Sequence, residues 1–136
     1  MSADSPNLPS VDVWAVDAWR VEKPWGWELI WAETDRYVGK VLFVRAGESL
    51  SLQFHRVKDE AWFVQSGRAK VELGKAGDPM LHEEVVVAPA YFRFEPGTVH
   101  RVSALADTTI IEVSTPELDD VVRLEDGYGR EGTSEP

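Results

Sequence analysis

The sequence predicts an all-β domain, an antiparallel sandwich or barrel, and three observations carry that expectation. Apolar and β-branched residues come in short runs, and nearly every run is bounded by turn residues. The runs are regularly spaced, as in two-layer or closed antiparallel folds. No stretch of ten or more residues has the periodicity of an amphipathic helix.

The predicted strands, in order, are 27–33, 37–45, 49–55, 60–66, 68–73, 81–87, 91–95, 98–103, 108–115 and 120–124. They are separated by Gly47, Gly67, Gly74, Gly77-Asp78-Pro79, Pro89, Pro96-Gly97 and Asp107. Residues 1–10 are rich in Ser, Pro, Asn and Asp and read as a loose arm, and 126–136 read as a partly frayed tail. At 136 residues, one domain spanning 1–136 is expected, large enough to bury a real core. No internal repeat is visible.

Fourteen Lys and Arg against 24 Asp and Glu give a net charge of −10. A globally basic surface is absent, so nucleic acid is not an expected partner. An acidic protein that handles a phosphorylated substrate needs local cations against its own field. Zero cysteines exclude a disulfide framework and thiol catalysis. The simplest compartment is the cytoplasm, since the polar N-terminus lacks the apolar core of a signal peptide. No apolar run approaches the ~20 residues of a membrane span, so no membrane partner is expected.

Ser49, Ser51, Gln53 and His55 alternate with Leu50, Leu52 and Phe54. A strand of period 2 puts Gln53 and His55 on one polar face. Glu60 opens the next apolar run, and His100 follows a Pro-Gly turn. Gln53, His55, Glu60 and His100 are therefore candidate ligands of one divalent metal ion, which takes imidazole nitrogen and carboxylate or amide oxygen. Zn²⁺ is the first candidate, with Mn, Fe, Co and Ni open. The alternative is two structural histidines with Gln53 and Glu60 bridging strands.

The spacing Gly47-x5-Gln53-x-His55-x4-Glu60-x6-Gly67, followed by Gly97-x2-His100, resembles the two motifs of the cupin superfamily. Gln53 stands where the first motif has a histidine, as is common in sugar-phosphate isomerases of the cupin type. Ala104 stands where the second motif often has Asn. Lys23-Pro24-Trp25-Gly26-Trp27-Glu28, Ser49 to His55, Pro96 to Arg101, Ile111-Glu112-Val113 and Asp120 to Arg130 occur in that order. Over roughly residues 20–130 the chain resembles the type II mannose-6-phosphate isomerase domain, often fused behind a mannose-1-phosphate guanylyltransferase. The resemblance implies an antiparallel jelly-roll (cupin) barrel.

It also implies aldose–ketose isomerisation of a sugar phosphate through an enediolate, with proton transfer or a hydride shift between C1 and C2. Glu112 interrupts an otherwise apolar run, and a buried carboxylate needs a partner or a raised pKa. It reads either as an ion-paired structural acid or as the general base. The resemblance places Arg123 on the substrate, holding phosphate or an enediolate oxygen, and has Lys58 share the proton transfer with Glu112; the alternative for Lys58 is a solvated loop lysine. Lys40, Arg56, Arg101 and Arg130 are further cations with weaker claims. Other readings are a metal-dependent cupin of different chemistry, dioxygenase-like, and a non-catalytic sugar or sugar-nucleotide binding module. Five of the six tryptophans lie between 14 and 31. They are expected to pack against the barrel or against a second subunit of a homodimer, rather than to stack on sugar. Trp62, on the face of Glu60, is the exception. His82, before Glu83-Glu84, is expected on the surface.

Overall fold

The structure is a computed structural model that describes residues 15–117 and 119–129. The predicted arm at 1–10, Trp14, Arg130 and the end of the tail lie outside the described residues. Eleven strands run in order: β1 (Trp19–Lys23), β2 (Gly26–Glu33), β3 (Val38–Val44), β4 (Leu52–His55), β5 (Glu60–Ser66), β6 (Arg68–Lys75), β7 (His82–Val87), β8 (Ala90–Phe94), β9 (Thr98–Ala104), β10 (Thr108–Ser114) and β11 (Val121–Glu125). No helix occurs among the described residues.

The strands form a six-stranded sheet, β1-β2-β3-β10-β5-β8, and a five-stranded sheet, β11-β4-β9-β6-β7. All ladders are antiparallel. The closed barrel expected from the sequence is not formed. Each sheet ends in two edge strands, and no ladder joins one sheet to the other. Alternation along a strand states which face is buried, and a sandwich and a barrel satisfy it equally. Closure depends on strand tilt and stagger, which alternation does not encode.

The core lies between the two layers. Leu42, Ile110 and Val64 occupy one cross-strand row of the six-stranded sheet. They belong to one buried cluster with Val71, Val102 and Ala104 of the opposite layer. Strand β1 has no counterpart among the predicted strands, because its Trp-Arg-Val-Glu-Lys sequence is largely exposed. It is held as the outer arm of a hairpin with β2, Lys23 facing Gly26. Gly26 is there for space: a Cβ would stand 1.8 Å from the Phe43 carbonyl oxygen.

The predicted strand 49–55 is shorter in the fold. Only Leu52–His55 is regular, and Ser49 makes a single bridge to Ser103. Leu50 joins the core while Ser51 is also buried, so the simple alternation breaks there. The tryptophans divide. Trp25 is in the core, Trp27 stacks on Phe43 at 5.4 Å outside the six-stranded sheet, and Trp19 and Trp31 are exposed. His82 is exposed, as expected from the sequence.

Candidate metal centre and adjoining cavity

His55 ends β4, Glu60 begins β5 and His100 lies in β9, so the two layers each contribute to one cluster. Gln53 pairs with His100 across β4–β9, which fixes the register of the two histidine strands. One ligand atom from each of His55, Glu60 and His100 lies within 4.8 Å of the others, and all three residues are buried.

Each imidazole is oriented by a backbone carbonyl. His55 Nδ1–H donates to Asp120 O at 3.0 Å, and His100 Nδ1–H donates to Thr98 O at 2.9 Å. A carbonyl only accepts, so the proton sits on Nδ1 and the Nε2 lone pair faces the cluster. The His100 ring is clamped further, stacked on Phe94 at 4.2 Å with Trp62 edge-on. His55 Nε2 is 3.6 Å from one Glu60 oxygen, and His100 Nε2 is 3.2 Å from the other. These four buried atoms have no aligned hydrogen bond, although the Lys58 ammonium lies 2.9 Å from one Glu60 oxygen. Acceptors facing acceptors repel, and buried polar atoms are normally satisfied. One divalent cation would satisfy all four, and two imidazoles plus a carboxylate suit a borderline first-row ion.

Electrostatics favour the ligating forms. Burial lowers the His55 pKa to about 4, with Lys58 and His100 adding to the effect and Glu60 opposing it. Burial opposes ionisation of Glu60, but the Lys58 ammonium holds its carboxyl well below the usual range.

Lys58, on the β4–β5 loop, reaches 2.9 Å from Glu60 and 3.4 Å from Glu112. Burial opposes its charge, but those two carboxylates raise its pKa. The loop is pinned by Asp120, whose Oδ2 accepts from the Val57 and Lys58 amides at 2.7 and 3.0 Å. Glu112 is 3% exposed, and its Oε1 accepts from Trp62 Nε1 at 3.1 Å. Burial and the Glu60 charge push its pKa up, against Lys58 and Lys40.

One cavity brings Gln53, His55, Lys58, Glu60, Glu112 and Arg123 together. His100 meets them through Glu60. Gln53 Oε1 accepts from Ser51 Oγ at 2.6 Å, and Gln53 faces buried Arg123 across β4–β11. Arg56 is exposed, and Arg101 spans Glu72 and Glu125 away from the cavity. Lys40 does line the cavity, and so do Lys23, Trp25 and Glu28, which were quoted in a sequence motif without being given a site role. A signal was present: Lys40 interrupts Val38-Gly39-Lys40-Val41-Leu42 as Glu112 interrupts its own run.

The family of the mannose-6-phosphate isomerase C-terminal domain matches residues 15–126. This chain belongs to that family. Mannose-1-phosphate guanylyltransferase 2 of Escherichia coli O157:H7 is 33% identical over 117 residues, spanning 82% of this chain and 23% of that protein. The mannose-1-phosphate guanylyltransferase of Escherichia coli strain K12 is 36% identical over 118 residues, spanning 81% of this chain and 23% of its own length. The chain thus spans under a quarter of these relatives. Capsular polysaccharide assembling protein CapF from Staphylococcus aureus shares the fold, with a TM-score of 0.73 and 21% identity over 88% of this chain and 34% of that one. Within the mannose-6-phosphate isomerase C-terminal family, this chain is a cupin-type domain whose buried His55, Glu60 and His100 form a facial metal-binding triad. No helix among the described residues is long and apolar enough to cross a membrane.

Proposed function

We propose that the chain is an aldose–ketose isomerase of a phosphorylated sugar, with mannose 6-phosphate and fructose 6-phosphate the first pair to test. The observation that carries this reading is Lys58, buried between Glu60 of the triad and Glu112. It links a metal site to a carboxylate whose pKa is pushed up by burial, as a base working near neutrality requires.

His55, Glu60 and His100 would hold a divalent ion, Zn²⁺ first, which would supply Lewis-acid stabilisation of negative charge on the substrate's oxygens. Glu112 takes the proton from C2, and the electron pair moves into the C1–C2 bond as the carbonyl π pair moves onto O1. O1 gains a proton, O2 loses one, and Glu112 returns its proton to C1. Lys58 stays charged beside the carboxylates and stabilises negative charge developing on oxygen. Arg123 offers a planar fork to an anionic oxygen. Gln53, oriented by Ser51, faces the substrate or completes the ion's ligands. The hydride-shift route moves hydrogen from C2 to C1 without exchange and is separated by the same test.

The outer face of the six-stranded sheet supports a homodimer. Leu29, Val41, Ile111, Phe63 and Tyr91 align in one cross-strand row, and Phe63 and Tyr91 are exposed.

The test is isomerisation of mannose 6-phosphate by metal-loaded protein in D₂O. Proton transfer predicts turnover with solvent deuterium entering the carbon that is reprotonated, and a hydride shift predicts turnover without it. Absence of turnover and exchange on every hexose and pentose phosphate would refute the isomerase reading.

A further inference from the structure

We propose that Lys23 and Lys40, with Glu28 between them, form a phosphomonoester-binding subsite beside the triad in the same cavity. The choice of ligand rests on the isomerase reading above. The chain carries a net charge of −10, yet four of its 14 Lys and Arg residues line this one cavity: Lys23, Lys40, Lys58 and Arg123. They face Glu28, Glu60 and Glu112. A cavity that concentrates cations in an acidic protein attracts an anion against the overall field.

The placement separates two groups of charges. Lys58, Glu60 and Glu112 are joined to one another at the triad end. Lys40 faces Glu112 across β3–β10, and Glu28 lies on β2, one strand further out. Lys23 ends β1, the edge strand. The strand of Lys40 is two ladders from that of Glu60, about 10 Å at the usual strand spacing. That is the order of the length of a six-carbon sugar, so a substrate reacting beside the triad reaches the lysines with its far end.

The Lys23–Glu28–Lys40 cluster is costly for the fold alone. Lys40 and Glu28 are 4% and 6% exposed. Lys40 Nζ lies 3.4 Å, and Lys23 Nζ 4.0 Å, from the same Glu28 oxygen. These are longer than the ~2.7–2.9 Å of a tight charge-assisted hydrogen bond. Apolar residues of similar volume would fill a buried position at least as stably as such loose pairs. Glu28 faces both ammonium groups and holds the two side chains at the cavity wall.

The local sequence serves the same placement. Lys23 immediately precedes the turn Pro24-Trp25. The Trp25 indole is anchored in the core, and its carbonyl accepts from the Arg45 amide at 2.9 Å. Gly26 allows β2 to lie against the Phe43 carbonyl. Pro24, Trp25 and Gly26 thereby fix the end of β1, and Lys23 is held at the cavity wall.

The experiment is calorimetric titration of inorganic phosphate onto the purified chain and onto Lys23→Gln, Lys40→Met and Glu28→Gln, each checked for fold by circular dichroism. Lys23→Gln, near the surface, guards against a Lys40→Met chain that fails to fold. Each lysine variant is expected to weaken phosphate binding about ten-fold or more, the loss of one charged contact. Glu28→Gln is expected to tighten it, because the competing carboxylate is gone; a merely structural Glu28 gives no such gain. Equal phosphate affinity in wild type and Lys23→Gln, or weaker binding in Glu28→Gln, overturns the subsite. The outcome is independent of turnover. Lysine-dependent phosphate binding in a chain that isomerises nothing keeps the subsite and removes the isomerase. Turnover unaffected by Lys23→Gln, with unchanged KM, removes the subsite and keeps the isomerase.

Discussion

Replacing Glu112 by Gln separates proton transfer from every other role of this residue. The amide keeps the shape and the oxygen that accepts from Trp62 Nε1 at 3.1 Å. It loses the charge that faces Lys58 Nζ at 3.4 Å. Lys58 retains Glu60 at 2.9 Å, so its ammonium is not left buried without a counter-charge. The lost contact is of the class worth ~1.5–3 kcal/mol, but the desolvation cost of ionised Glu112 disappears with it. Net stability is therefore expected to change by less than about 2 kcal/mol. A positioned base contributes about 10²–10⁴-fold, or roughly 3–5 kcal/mol of barrier. The assay is kcat for mannose 6-phosphate, with metal content and the denaturant midpoint measured on the same preparations. Expected are a fall in kcat within that range, unchanged metal and a small midpoint shift. The acid limb of the wild-type rate profile, displaced above the usual carboxylate range, should vanish in the variant. A variant that turns over within a few-fold of wild type refutes the assignment of the base. So does one whose lost activity is matched by lost metal.

The triad predicts about one equivalent of first-row metal in protein purified without added metal, and His100→Ala should lose most of it by elemental analysis. Full occupancy in His55→Ala/His100→Ala would contradict the site. In metal-free protein, His55 has a pKa of about 4 when folded against 6.5 ordinarily, so the unfolded chain binds more protons between those values. Stability present above pH 6.5 is then lost as the pH falls toward 4, by about 3 kcal/mol, and His55→Gln should flatten that part of the urea-midpoint profile. Gly26→Ala places a Cβ 1.8 Å from a backbone oxygen and should cost roughly 1–3 kcal/mol or more. Gly47→Ala, with open space but φ of 86°, should cost about 1–2 kcal/mol. Light scattering should give a dimer that Phe63→Glu weakens, and a concentration-independent wild-type monomer would exclude it.

Metal ligands were the most legible part of this chain, because chemistry restricts their residue types and two strands restrict their spacing. His55, Glu60 and His100 meet as that spacing implies. Glu112 was legible as a charge inside an apolar run. Lys40 had the same signature and was named only among the cations with weaker claims, because a lysine on a strand is ordinarily solvated. Glu28 was quoted only as the last residue of the Lys23 to Glu28 motif, and only the fold puts it on the cavity wall. The N-terminal tryptophans were read as one packing unit, whereas Trp25, in the β1–β2 turn, joins the core and Trp27, on β2, stacks on Phe43. Sheet closure was not legible at all, since it depends on strand tilt and stagger at the edge strands and not on any residue pattern.

The open seams between the layers give the triad a mechanical meaning. His55 and His100 belong to one sheet and Glu60 to the other, with no ladder joining the two. A bound ion would act as a rivet through the sandwich, and the layers could not breathe apart without breaking a coordination bond. Amide hydrogen exchange should register this as a common slowing at β4, β5 and β9 on metal loading. The β1–β2 hairpin and the β6–β7 edge, which the rivet does not pass through, should exchange at much the same rate with or without it.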